Sequence, residues 1–180
     1  MGRDVTAASG HEIERVWVLK SAPVIPPELP IEVWEIEQGY LAPSAANESE
    51  AAKRGFPEGR LRRIVEPDGT QRFFHTIKSG SGVVRVETER ALTLAEFEAQ
   101  WPRTQGRRLC KTRRRVRVDG LVWEIDLFHG LPLVMVEVEL ELATQRIDMP
   151  AFLSALVEKE VSLDARYRNA ALAMHGLPKL

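Results

Sequence analysis

The 180-residue sequence has a single cysteine, Cys110, so it can form no internal disulfide, and a lone thiol fits a reducing, cytoplasmic setting. No stretch approaches the ~20 consecutive apolar residues that span a bilayer, and the N-terminus lacks the apolar segment of a signal peptide. No membrane partner is expected. Neither charge is in surplus, 25 Lys and Arg standing against 26 Asp and Glu. A global field that would draw in nucleic acid or an anionic membrane is therefore excluded. The four histidines, His11, His75, His129 and His175, lie far apart and lack the spacing of a metal site. Lys78-Ser79 has no glycine at the upstream position that a phosphate-binding P-loop requires.

What the chain does have is charge at every second position of short β-like runs. Glu12 and Glu14 alternate in EIERVWVL, Arg60 and Arg62 in GRLRRIV, and Arg85, Glu87 and Glu89 in VVRVETE. Lys111 and Arg113 follow in CKTRR, Glu124 and Asp126 in WEIDLF, and Glu137 and Glu139 in VMVEVELEL. Successive strand side chains point to opposite faces, so each set projects one way while Ile13, Trp17, Leu61, Val84, Val86, Ile125 and Val138 project the other. Apolar residues are thus placed outward and ions inward.

The strand-like runs are 12–20, 33–41, 60–66, 71–78, 82–91, 110–118, 121–128 and 133–143. Pro67-Asp68-Gly69 and Asp119-Gly120 are hairpin signals, and His129-Gly130 divides two further runs, so an antiparallel meander is expected. Thr93 with Glu96 forms a capping box that starts a helix over 94–101. Asp148 and Pro150 start another through PAFLSALVEKE, and DARYRNAALAM gives a third that stops at Gly176. The small, polar segment 43–59 reads as a loop insertion, and residues 1–10 as a flexible lead. One domain over 1–180 is the expectation.

Ionic strand faces cannot pack against another sheet, because unpaired buried charges cost several kcal/mol each. They can line a solvated lumen. Adding Lys78 to the inward set gives eight acids facing six bases. Clustered carboxylates raise one another's pKa unless a divalent cation neutralises them, and oxygen-only ligands favour Mg²⁺ or Mn²⁺ over zinc. Two such ions would add four positive charges to the net minus two of that set, and a tunnel so loaded is cationic and suits a polyanion.

The motifs EIER, QGYL, GRLR, HTIKSGSG, RVETE, GRRLCKTR, WEIDLF, VEVELEL and EVSLDARYRNAAL, in that order, resemble the CYTH family, or triphosphate tunnel metalloenzymes, from Glu12 to Leu172. The resemblance implies an α+β chain in which a closed eight-stranded antiparallel β-barrel with flanking helices binds a triphosphate and Mg²⁺ or Mn²⁺. It implies a hydrolase of inorganic triphosphate. A class IV adenylate cyclase and a non-catalytic binder of polyphosphate or nucleotides are the alternatives. By the same resemblance Glu12, Glu14, Glu137 and Glu139 are metal ligands supported by Glu87, Glu89 and Asp126, while Arg60, Arg62, Lys78, Arg85 and Arg113 grip phosphate. Lys111 faces the scissile phosphate, and Tyr40 pairs with it and orients it. Related barrels pair, so a homodimer is compatible.

One position departs from the family's ExExK signature: its lysine falls where this chain has Val16. Arg15 has the wrong parity to replace it, and reduced affinity for triphosphate follows. The basic run GRRLCKTRRRVRV is accompanied by no row of stacking aromatics, so nucleic acid is not expected as the main partner.

Overall fold

In the computed structural model, which describes residues 8–41, 56, 58–79, 84–142 and 144–179, the antiparallel strands expected from the alternation form one sheet of nine strands. They are β1 (Ala8–Leu19), β2 (Ile31–Tyr40), β3 (Arg60–Val65), β4 (Gln71–Ser79), β5 (Val84–Leu92), β6 (Arg108–Val118), β7 (Leu121–Phe128), β8 (Val134–Leu140) and β9 (Val157–Glu160). Their order is β5-β4-β3-β2-β6-β7-β8-β1-β9, and β1 also pairs with β5. The helices are short: α1 (Leu94–Gln100), α2 (Ala151–Ser154) and α3 (Asn169–His175), with single 3₁₀ turns at Trp101–Thr104 and Ala165–Tyr167. Most of segment 43–59, and residues 1–7, fall outside the described residues.

Turn chemistry fixes the hairpins. Asp119 and Gly120 have φ of 50° and 81°, the double positive-φ geometry of the tight turn that matches strand twist. Between β3 and β4, Asp68 Oδ1 accepts from Thr70 N at 2.8 Å while Gly69 takes φ 83°. The Thr93 cap of α1 is formed as read from sequence, with Glu96 N donating to Thr93 Oγ1 and Thr93 N donating to Glu96 Oε2.

The outward apolar faces are covered in two places. Ile13, Trp17, Trp123, Ile125, Val136 and Val138 pack under α2, where Leu153 is fully buried, and the Trp17 and Trp123 ring centroids lie 6.1 Å apart. Leu61 and Phe73 pack with Phe97 of α1. A third cluster differs in parity: Val18, Leu109, Phe128 and Met135 lie on the ionic face and are covered by Tyr167 and Leu172 from the last 3₁₀ turn and α3.

The segment PAFLSALVEKE departs from the helix expected of it. Only Ala151–Ser154 is helical, and Val157–Glu160 adds to the sheet as β9. The reason lies in β1, which pairs with β5 only over Ala8–Ile13, leaving one edge of Trp17–Leu19 for another strand. Pairing with that edge overrides local helical preference. The third expected helix is likewise divided, into Ala165–Tyr167 and α3, and it ends at Gly176 with φ 69°.

Candidate active site

The inward faces of the strands enclose a cavity of about 1540 Å³. The acids that the strands contribute to its lining are Glu14 of β1, Glu87 and Glu89 of β5, Glu124 of β7, and Glu137 and Glu139 of β8. The bases that the strands contribute are Arg60 and Arg62 of β3 and Arg113 and Arg115 of β6, and Tyr40 of β2 also lines the cavity. Period-two alternation therefore brings together side chains from widely separated runs. Lys111 and Asp126 share the inward parity but are buried, at 0% and 1% exposure, and do not line the cavity. The side chains of Glu12, Lys78 and Arg85 lie outside the described residues. On the backbone Glu12 is the cross-strand partner of Arg85, and Lys78 that of Glu87.

One half of the site is a knot of acids around a guanidinium. Arg113 donates from Nε and Nη2 to Asp126 Oδ1 and Oδ2, both at 2.7 Å, and from Nη2 to Glu137 Oε1 at 2.5 Å; its Nη1 donates to Glu124 Oε2. Lys111 Nζ donates to Asp126 Oδ2 at 2.5 Å. Arg115 donates from Nε to Glu124 Oε1 at 2.9 Å and lies 4.1 Å over the ring of Trp34. Burial pushes the Lys111 ammonium down, aided by repulsion from Arg113 and opposed by Asp126 and Glu137, so it comes to about 8. Burial pushes the Glu137 carboxyl up, but Arg113 and Lys111 more than reverse this and hold it at about 2. Glu124, also buried, is pushed up despite Arg113.

The other half is a set of donors. Arg60 Nη2 donates to Thr76 Oγ1 at 3.1 Å, and Thr76 Oγ1 donates to Glu89 Oε2 at 2.8 Å. Glu87 and Glu89 stand 3.9 and 3.7 Å from Arg60 Nη2. The Nε atoms of Arg60 and Arg62 are buried and have no hydrogen-bond partner. Burial, with repulsion from Arg60 and Arg113, lowers Arg62 to about 10, which leaves it charged at neutral pH. Guanidinium N–H groups are well suited to the oxygens of an anion.

Tyr40 and Lys111 are not hydrogen-bonded to each other, contrary to the pairing the resemblance implies. The Tyr40 hydroxyl accepts from Gln38 Nε2 at 2.7 Å, and Lys111 is committed to Asp126. Burial pushes the Tyr40 phenol up to about 12, so it keeps its proton at neutral pH. Asp126 differs from its expected part as a metal-supporting acid, since both its oxygens are occupied by cations and it does not line the cavity.

Val16 lines the cavity and is the cross-strand partner of Glu137, so the departing position does face the site. Arg15 points away, bound to Glu160 of β9 at 2.6 Å. Gln38, Thr76, Trp34 and Arg115 belong to the site but are missing from the sequence-derived set. Their inward parity was the available signal; only Arg115 also carried charge. Among the described residues no three His, Cys, Asp or Glu side chains already converge as a metal-binding group. The donor chemistry nevertheless fits a hard divalent cation: Glu14 and Glu139 are cross-strand partners, as are Glu124 and Glu137, and all four line the cavity.

Comparison with known proteins follows the same lines. An inorganic triphosphatase from Nitrosomonas europaea is 35% identical over 151 residues, which are 78% of this chain and 97% of that protein. A crystal structure of an inorganic triphosphatase matches with a TM-score of 0.55 and 30% identity, covering 93% of this chain and 97% of that one. A crystal structure of a hypothetical protein gives the same TM-score, 0.55, at 33% identity, covering 91% of this chain and 97% of that one. No protein-family model matches the sequence.

Proposed function

The chain belongs to the triphosphate tunnel metalloenzyme, or CYTH, family, and from that premise we propose that it hydrolyses inorganic triphosphate inside the cavity. The observation that carries this reading is the pair of buried arginine Nε donors without partners, Arg60 and Arg62, facing a cavity whose other wall is acidic. A phosphate chain supplies oxygens to the first and needs cations at the second.

The strand pairings support a tunnel. The strand order β5-β4-β3-β2-β6-β7-β8-β1, together with the pairing of β1 with β5 over Ala8–Ile13, supports reading these eight strands as a closed barrel with β9 outside it. A closed barrel has no inner edge, so its inward faces can meet around a ligand.

In this mechanism Arg60, Arg62, Lys78, Arg85 and Arg113 bind the non-bridging oxygens, forked guanidinium donors being suited to phosphate. Glu87 and Glu89 hold Arg60 and Thr76 in place. A divalent cation, Mg²⁺ or Mn²⁺, would be held by Glu12, Glu14, Glu137 and Glu139, and would there neutralise phosphate charge and lower the pKa of a bound water. Water adds to a terminal phosphorus as the P–O anhydride bond breaks, giving orthophosphate and pyrophosphate. Glu124, whose proton affinity burial raises, takes the proton of the water. Tyr40 keeps its O–H proton and donates it as a hydrogen bond to the leaving oxygen, while the charge of Lys111 stabilises the negative charge developing there. The lone Cys110 supports a reducing, cytoplasmic setting.

The deciding experiment is phosphate release from tripolyphosphate, ATP and thiamine triphosphate with Mg²⁺ or Mn²⁺. Selective metal-dependent cleavage of tripolyphosphate, lost in Glu14→Gln and Glu139→Gln, is expected. Absence of release from any of the three would sink the reading.

A further inference from the structure

Asp126 is set apart from the other acids of the site by where it sits and what it holds. On the sequence it is equivalent to Glu124, two residues away on the same face of β7. In the fold Glu124 lines the cavity, whereas Asp126 is 1% exposed and does not line it. Its Oδ2 receives Lys111 Nζ at 2.5 Å and Arg113 Nη2 at 2.7 Å, and its Oδ1 receives Arg113 Nε at 2.7 Å. Three charged donors thus use most of the roughly four lone-pair positions of one carboxylate.

We propose that Asp126 is the positioning residue of this site, a buried anchor that fixes Lys111 and Arg113 together, and that it is not a metal ligand. The inference rests on the triphosphatase reading for the reaction it serves, but not for the geometry. Arg113 and Asp126 are cross-strand partners on β6 and β7, so the guanidinium lies edge-on to the carboxylate with Nη1 left for Glu124 and Nη2 shared with Glu137. Lys111, at 0% exposure, has no water to replace a lost partner. Two cations of high rotamer freedom are thereby held in one arrangement before substrate arrives, which is the preorganisation that charge stabilisation in a transition state needs. A cation at Asp126 would have to displace both Lys111 and Arg113.

The test pairs equilibrium metal binding with steady-state kinetics. Mn²⁺ alone is titrated calorimetrically into wild type, Asp126→Asn and Glu139→Gln. Asp126→Asn is expected to bind Mn²⁺ within about threefold of wild type, whereas Glu139→Gln loses about tenfold or more, as removal of a ligand should. With tripolyphosphate, Asp126→Asn is expected to lower kcat by about 100-fold and to change KM much less, since displacement of catalytic cations by about 1 Å has that scale. In a Lys111→Gln background the same substitution should cost only a few-fold, because residues acting as a unit are not additive. Mn²⁺ affinity weakened about tenfold in Asp126→Asn, an unchanged kcat, or effects that multiply in the double variant would each overturn the proposal. If Asp126→Asn does not fold, Asp126→Glu keeps the charge and displaces it by a methylene, with the same split expected and the same outcomes decisive. An inactive wild type would sink the triphosphatase reading alone. The Mn²⁺ titration needs no turnover and still decides whether Asp126 is a ligand.

Discussion

At the scale of single residues, parity along a strand decides what a side chain can do. Val16 and Arg15 are neighbours, yet Val16 lines the cavity and Arg15 is bound outside to Glu160. Val16→Lys should therefore lower KM for tripolyphosphate about tenfold or more, the value of one charge-assisted hydrogen bond at ~1.5–3 kcal/mol, while Arg15→Ala leaves KM unchanged. Steady-state kinetics on the two variants checks this, and an unchanged KM in Val16→Lys would show that the position does not reach phosphate. Lys111 gives a pH prediction. Its pKa is lowered from 10.5 to about 8, so it is charged below that pH and loses its proton as pH rises through it. A profile of kcat/KM should fall above about pH 8. Glu137 acts on stability with the opposite limb. Its pKa in the fold, about 2, lies below the ordinary 4.5, so its contribution is complete above 4.5 and is lost as pH falls through about 2. Acid unfolding of the metal-free protein, followed by circular dichroism and compared with Glu137→Gln, should show that loss in wild type only.

At the scale of elements, two motifs legible in the sequence have structural reasons that were not. The Thr93 and Glu96 box starts α1, and α1 buries Phe97 over the outer face of β3 and β4. Thr93→Ala should cost about 1 kcal/mol in urea unfolding, and Thr93→Ser should restore most of it. In QGYL the glycine is there for close packing. A Cβ at Gly39 would stand 2.6 Å from the Thr104 side chain of the 3₁₀ turn. Gly39→Ala should destabilise by about 1–3 kcal/mol, and Thr104→Gly, by removing all three of the contacting side-chain atoms, should relieve the clash in the double variant. The element the sequence misread, β9, fails for a related reason. VEKE carries helix formers, and only the free edge of β1 makes it a strand.

At the scale of the whole molecule, the site is assembled from eight of the nine strands, so ligand and fold are linked. A triphosphate that binds only the native state should raise the melting temperature, by an amount equivalent to about 2.7 kcal/mol at 100 times its Kd. Thermal melts with and without tripolyphosphate test this, and Arg62→Gln should shrink the shift through loss of a buried donor. Much of this assembly could be read in advance. Eight of the strand positions, the hairpin turns and the inward set of acids and bases follow from period-two alternation, because a strand has only two faces.

Alternation sorts residues by face and says nothing of depth along the strands or of partners across the cavity. Glu124 and Asp126 have the same parity and opposite fates, one lining the cavity and one buried away from it. Tyr40 and Lys111 were expected to meet, but Gln38 and Asp126 stand closer to each and take their hydrogen bonds. Val18, Leu109, Phe128 and Met135 continue the inward faces as an apolar end closed by Tyr167 and Leu172, a boundary between wet and dry set by the returning C-terminal segment. The sequence by itself determined which side chains face inward and hence the charge of the interior. Tertiary structure alone decided which of those charges neutralise one another and which are left for a ligand, because pairing depends on register between strands far apart in the chain, and register is fixed only when all of them pack.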